Sequence, residues 1–453
     1  MGHLIPLIEL ARKLLDLHTN LTITFIIPDD GLPTKPQKSL LHSFPAINSI
    51  FLPPSINEPL PDSKIETRIV LSVIRSIPSL LAALHDLNRS TRLSAFVADL
   101  FGSHTFHAVK GLGIPLYLFF TSSAMVLSFS FYLSELDESC ACEYRDLPEP
   151  VKVPGCVPVR GSDLPDPVQD RESQAYRGSV EMCKQFGSAE GILVNTFLDL
   201  EPGTFKSFGM GNSPPVYPVG PLIRTGSATE SGGECLKWLD KQPDRSVLFI
   251  SFGSGGTLSR QQLNELAAGL EMSRQRFLLV AKSPNDEIKN AAYFTGADDE
   301  IKMDDHSEYV SADFLERTKE RGYVISQWAP QIEVLSHVAV GGFVTHCGWN
   351  STLESIVQGV PLIAWPLFAE QRMNAVLLSE GLKVAIRVRE NENGVVEREQ
   401  ISELARRLME GEEGEELRKR MRGFKDAAAK ALSQYGSSTR ALANVAGKWI
   451  GLE

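Results

Sequence analysis

His346, Asn350 and Ser351 follow an apolar run at spacings that suit the binding of a phosphorylated ligand. Gly341-Gly342-Phe343-Val344-Thr345 reads as a short buried strand and His346 to Trp349 as a polar turn. Asn350-Ser351 then sits where a helix N-cap belongs, Thr352 to Val357 continues as helix, and Gly359 ends it. A strand that runs into a helix N-terminus presents backbone N–H groups to an anion. The imidazole, amide and hydroxyl of the turn add further partners for phosphate. Val360 to Trp365 reads as the next strand, and a second polar turn closes on Glu370-Gln371. Ser351-x-x-Glu354 also fits a capping box, in which Glu354 would serve the helix rather than a ligand.

The full segment from Trp328 to Gln371, 44 residues opening on WAPQ, centred on HCGWNS and closing on EQ, resembles the plant secondary-product signature of UDP-sugar-dependent family 1 glycosyltransferases. The resemblance implies an α/β chain of GT-B architecture, two Rossmann-like doubly wound domains facing across a cleft. It implies that Trp328 stacks on uracil, that the backbone of Ala329 reads the base edge, and that Gln331 lies near ribose or base. Glu354 is then assigned to the ribose hydroxyls, and His346, Asn350 and Ser351, with Ser254 of the glycine loop, to the diphosphate. Trp349, Glu370 and Gln371 are expected on the sugar, with Thr121 of the FFTSS turn reaching it from the other domain. A carboxylate beside an amide suits vicinal hydroxyls, and a terminal Gln at this place favours glucose. The stretches GMGNSPPVYPVGPL, SFGSGGTLS and WPLFAEQRMNAVLLSE further resemble the branch that glucosylates hydroquinone, phenylpropanoids and other simple phenols.

Transfer to a hydroxyl needs a general base for the acceptor and stabilisation of the departing diphosphate. The resemblance assigns the base to His3 of GHLIP and its orienting carboxylate to Asp99 of FVADLF. Such a carboxylate holds the imidazole tautomer and stabilises the imidazolium that forms. His104 and His107 follow Asp99 closely and compete to be its partner. The expected reaction is inverting, with UDP-glucose as co-substrate, a small phenolic acceptor, a β-glucoside as product and no cofactor. A metal is not expected, because no Asp-x-Asp pair stands at a strand end near the site. In the family a strand and small turn precede this Gly-His. Here the chain starts at the turn, so the first strand is expected to be missing, leaving an open slot between its neighbours. That absence motivates a second reading, a UDP-sugar-binding protein with little or no turnover.

The rest of the chain must position these residues. Leu4, Leu7, Ile8, Ala11, Leu14 and Leu15 fall at helical spacing, predicting a helix over 4–17. LTITFIIP (21–28), Ile50 to Pro53, Ser94 to Asp99, Pro115 to Phe120 and Gly191 to Thr196 read as strands, with helices over 67–87 and 103–111. Residues 134–185 read as a loop plus one helix, and Tyr217 to Pro221 as a break. The pattern restarts with SVLFISF, the tight loop Gly253-Ser254-Gly255-Gly256 and a helix over 259–271, then strands at 277–281 and 323–326. Alternating strands and helices of these lengths predict parallel sheets. The expected domains are an acceptor-binding domain over 1–222, a linker over 223–234 and a UDP-sugar-binding domain over 235–436. A last helix over 437–453, capped by Ser437, is expected to return to the first domain.

Composition narrows the partners. A net charge of −11 argues against nucleic acid or an anionic membrane. The six cysteines hold no CxxC pair and read as reduced thiols of a cytoplasmic protein. No stretch approaches the ~20 apolar residues of a membrane span, the longest candidate being Ala124 to Leu133. A monomer is expected. The carboxylates at 298–305 read as a surface loop rather than a cation site, lacking the central glycine of a calcium loop.

Overall fold

Among the described residues, runs of β-branched and aromatic residues punctuated by glycine and proline become twelve strands, and every strand pairing is parallel. The computed structural model describes residues 2–28, 35–53, 65–209, 213–224, 233–287, 289–290, 309–326 and 328–451. Residues 29–34 and 54–64, the linker residues 225–232 and the carboxylates at 298–305 lie outside the described residues. The chain divides into two compact units, Met1–Ile223 with Lys430–Glu453, and Arg224–Ala429.

In the first unit the helix Leu4–Leu17 leads into β1 (Ile23–Ile27), which pairs with β2 (Ile47–Phe51). A second sheet runs in the order β3 (Phe96–Asp99), β4 (Leu116–Phe120), β5 (Gly191–Val194) and β6 (Val216–Pro218). Among the described residues no ladder joins the two sheets. All five residues of β1 are half-buried although four are apolar, whereas β4 and β5 are buried throughout. The core beneath the sheets gathers Leu10 and Leu14 of the first helix, Tyr117 and Phe119 of β4, and Leu193 of β5. Leu442, Val445, Ala446 and Trp449 of the last helix, Ser437–Ile450, complete it. Trp449 meets Tyr117 edge to face at 5.1 Å.

Several local expectations change. Tyr217-Pro218 does not break the pattern but forms β6, and its edge position tolerates a proline that cannot donate. The supposed loop after Leu133 is helical to Ser139, because Leu136 prolongs the buried stripe of the helix Ala124–Ser139. Ser437 is the first residue of the last helix, and Gly436 is its N-cap. The helix Ile65–Ser90 is long and apolar enough to cross a membrane by length and composition, which the sequence reading missed. It is amphipathic, with Val73, Ser76, Leu80 and Leu84 buried.

The second unit carries β7 (Val247–Ser251), β8 (Arg276–Ala281), β9 (Gly322–Ser326), β10 (Val340–Thr345), β11 (Leu362–Ala364) and β12 (Ala385–Arg387). Their order in the sheet is β12-β11-β10-β7-β8-β9. The chain therefore moves outward from β7 to β9, then returns to lie beside β7 as β10 and moves outward the other way. The crevice at such a reversal, at the carboxyl ends of the two strands, is where open α/β sheets bind ligands. Thr345 is in register with Ser251, so the loops after β7 and β10 leave the sheet side by side.

Candidate functional site

His3 and Asp99 meet although 96 residues separate them. The Nδ1–H of His3 donates to Asp99 Oδ2 at 2.8 Å. His3 occupies the N-cap position of the helix Leu4–Leu17 without capping it by its side chain, and its ring stacks on Phe101 at 5.4 Å. Asp99 ends β3, and its other oxygen accepts from the Gly102 backbone at 2.8 Å. Burial alone would raise the Asp99 pKa. The hydrogen bond and charge of His3, with backbone donors from Gly102 and Phe101, outweigh that and lower it. Asp99 is thus ionised when His3 needs a counter-charge. His104 and His107 belong to the helical segments that follow β3, and the Nε2 of His104 is buried without a hydrogen-bond partner.

Thr121 is buried in the same unit just after β4. The turn around it is fixed by Glu201, which carries no motif in the sequence. Its buried carboxylate accepts from Ala124 N at 3.0 Å, Met125 N at 2.8 Å and the Thr196 hydroxyl at 2.7 Å. These bonds satisfy the first amides of the helix Ala124–Ser139, with Ser123 as its N-cap.

In the second unit the turn after β10 departs from the expected capping. The helix runs Trp349–Gln358 with Gly348 at the N-cap, so Asn350 and Ser351 lie inside its first turn. The chain enters this helix through Cys347 at φ 64, a left-handed conformation uncommon for a residue with a Cβ. The Cys347 amide donates to Thr345 Oγ1, and its carbonyl accepts from Asn374 Nδ2 at 3.1 Å. Backbone held so firmly in an unfavourable region is a mark of functional turns.

His346 lies between two glycines. A Cβ placed on Gly253, itself at φ +72, would fall 2.4 Å from the imidazole, and a Cβ on Gly348 would fall 2.4 Å from Nε2. Burial, then the charge of Lys282, push the His346 pKa down to about 3, so the ring is neutral at physiological pH. Its Nδ1 is buried without a hydrogen-bond partner. Gly348→Ala is expected to cost about 1–3 kcal/mol, the usual cost of overpacking, and to turn the ring out of its slot. Urea unfolding reads the first effect and imidazole NMR the second. Unchanged stability and an unshifted ring resonance would contradict the clamp.

Glu354 does not cap the helix. Gln331 Nε2 donates to Glu354 Oε2 at 2.6 Å and to Ser351 Oγ at 2.8 Å, tying three expected site residues together. Burial raises the Glu354 pKa to about 7 against the donation from Gln331, with the charge of Glu333 adding to the rise. Beside them Trp328 is 53% exposed, an aromatic face open to a ligand, while Ala329 is buried. Trp349 is buried at the start of its helix, and Ser254 is exposed on the glycine loop.

Glu370 and Gln371 stand at the turn after β11, which is entered through a second left-handed residue, Ala369 at φ 57. Gln371 is not a free bidentate partner. Its amide oxygen accepts from Leu367 N at 2.9 Å and Phe368 N at 3.0 Å, so only its N–H groups remain for a ligand. Among the described residues no group of three or more His, Cys, Asp or Glu side chains converges as a metal site would require.

Comparison with known proteins finds relatives along nearly the whole chain. Residues 223–393 match the family described as UDP-glucoronosyl and UDP-glucosyl transferase. The chain is 53% identical to a hydroquinone glucosyltransferase of Rauvolfia serpentina, over 99% of this chain and 96% of the relative. It superposes with a TM-score of 0.91 on UGT2 of Phytolacca americana complexed with UDP-2fluoro-glucose and pterostilbene, at 48% identity and covering 99% and 97% of the two chains. A Polygonum tinctorium UDP-glucosyltransferase capable of glucosylating indoxyl, in complex with 3,4-dichloroaniline, gives 0.90 at 46% identity, covering 99% and 96%.

Proposed function

Because the chain belongs to the plant UDP-glycosyltransferase family, we propose that it transfers glucose from UDP-glucose to a hydroxyl of a small phenolic acceptor, with inversion. The observation that carries this reading is the bond between His3 and Asp99. With Nδ1 held by the carboxylate, Nε2 is the atom that takes a proton. The acceptor hydroxyl gives its proton to Nε2, and its oxygen forms the new bond to the anomeric carbon. The bond from that carbon to the diphosphate oxygen breaks, and UDP leaves with the electron pair. An α-linked donor gives a β-glucoside. Asp99 remains ionised and balances the imidazolium.

On the donor side, Trp328 stacks on uracil, the Ala329 backbone meets the base edge, and Gln331 and Glu354 take the ribose. His346, Asn350, Ser351 and Ser254 hold the diphosphate at the N-terminus of the helix Trp349–Gln358, whose dipole favours negative charge. Trp349, Glu370 and Gln371 take the sugar. These donors do the work of a divalent ion, so catalysis proceeds without a metal. The names of the relatives, one acting on hydroquinone and one bound to pterostilbene, support a phenol as acceptor.

A second reading, UDP-sugar binding without turnover, is favoured by one feature, the lack, among the described residues, of a ladder between β1–β2 and the sheet whose edge strand ends in Asp99. One assay separates the two. Purified protein with UDP-glucose and a panel of hydroquinone and phenylpropanoids is expected to give UDP and a glucoside in equal amounts, cleavable by a β-glucosidase and undiminished by EDTA. UDP binding with no glucoside from any phenol would favour the second reading.

A further inference from the structure

Lys282 carries no motif signal, yet the sheet brings it to the ligand-binding end of the second unit. It follows β8 directly, and β8 pairs with β7, whose loop is Phe252 to Gly256. Its ammonium donates to the carbonyl of Gly253 and, at 2.7 Å, to that of Ser254. An ammonium has three N–H donors, so one remains after the two carbonyls. Its charge also acts on His346, the imidazole clamped over Gly253.

Among the described residues Lys282 forms no ion pair with a carboxylate. Withdrawing an ammonium from water without a counter-charge is costly, and here burial has lowered its pKa to about 8, leaving it mostly charged at pH 7. A residue that only tied down the glycine loop would do so at lower cost as a neutral donor. Arg387, at the end of β12, lies on the other arm of the sheet and has partners of its own. His346 is neutral and brings no charge.

We infer that Lys282 is the cation that counters the diphosphate, binding it through the N–H that the two loop carbonyls leave over. This rests on the donor site proposed above. As UDP departs it gains negative charge on the bridging side, and a fixed ammonium stabilises that charge more than it does the intact donor. Lys282 also ties anion binding to the conformation of the Gly253–Ser254 turn, because the same amine holds both.

Calorimetry on K282M and K282R with UDP and with uridine tests this. K282M is expected to weaken UDP by about 10- to 100-fold, the range for losing a charge-assisted bond, while uridine binds as before. K282R is expected to recover most of the UDP affinity. Equal losses for UDP and uridine would reduce Lys282 to a loop clamp and overturn the inference, as would unchanged UDP binding. Unaltered uridine affinity reports that the variant is folded. If the unsubstituted protein binds neither ligand, it is the donor-site reading that fails.

Discussion

Replacing His3 by alanine is expected to lower kcat by about 10²- to 10⁴-fold, the usual contribution of a general base, with UDP affinity essentially unchanged. His3 sits in the first unit, whereas the residues proposed above for uracil, ribose and diphosphate belong to the second, so the variant isolates proton removal from donor binding. The side chain makes no cap bond to the helix Leu4–Leu17, so that helix keeps its N-terminus in H3A, which loses the bond to Asp99 and the stack on Phe101. Asp99→Asn tests the dyad from the other side. An amide in place of the carboxylate can donate to Nδ1 and favour the wrong tautomer, and it provides no charge for the imidazolium. It is expected to fall within the same range. Because the two residues act as a unit, the double variant should be little worse than either single one. Retention of more than about a tenth of kcat in H3A would remove His3 from the mechanism set out above.

Glu354→Gln is expected to move binding and stability in opposite directions. A carboxyl whose pKa rises from 4.5 to about 7 on folding favours its protonated form in the folded protein. The sign follows. Below pH 4.5 it is protonated in both states and costs nothing. As the pH climbs towards and beyond about 7, the folded protein must carry a charge that burial disfavours, at up to about 3 kcal/mol. Gln carries none, so E354Q should equal the unsubstituted protein in stability near pH 4 and exceed it by about 1–3 kcal/mol at pH 8. The same change removes a charged acceptor for the ribose hydroxyls, a loss of about 10- to 100-fold in UDP affinity, with deoxyribose analogues affected less. Thermal melts across pH and titration with UDP read the two effects. A variant that is less stable at pH 8 and binds UDP normally would return Glu354 to a structural role.

The order of elements was legible because the chain writes it as alternating strand and helix periods, and the strand at 247–251, the helix at 4–17 and the Gly359 stop fall close to where they were read. The donor turn was legible too, but its details were not. Asn350 and Ser351 look like caps because those residue types usually are. Here Gly348 takes the N-cap and the side chains are left for other partners, Ser351 for Gln331. Gln371 shows the same limit, since nothing in the letters tells that its amide oxygen is used by the backbone of its own turn. Lys282 and Glu201 could not be found at all. Each acts through partners distant in sequence, Lys282 on Gly253 and Ser254, Glu201 on Ala124 and Met125, and only the parallel register brings them there.

The chain leaves the first unit after Ile223 and re-enters it at Lys430, which has a consequence for how the protein is made. The second unit is contiguous in sequence and can close on the ribosome as soon as it is synthesised. The first cannot, because Leu442, Val445, Ala446 and Trp449 emerge last and complete its core. Until then Leu10, Leu14, Tyr117 and Phe119 wait with one wall missing, an apolar surface open to chaperones or to neighbouring nascent chains. The unit that carries His3 and Asp99 is therefore the one that matures last, and a nascent chain halted before Ser437 has a finished second unit and an unfinished first one.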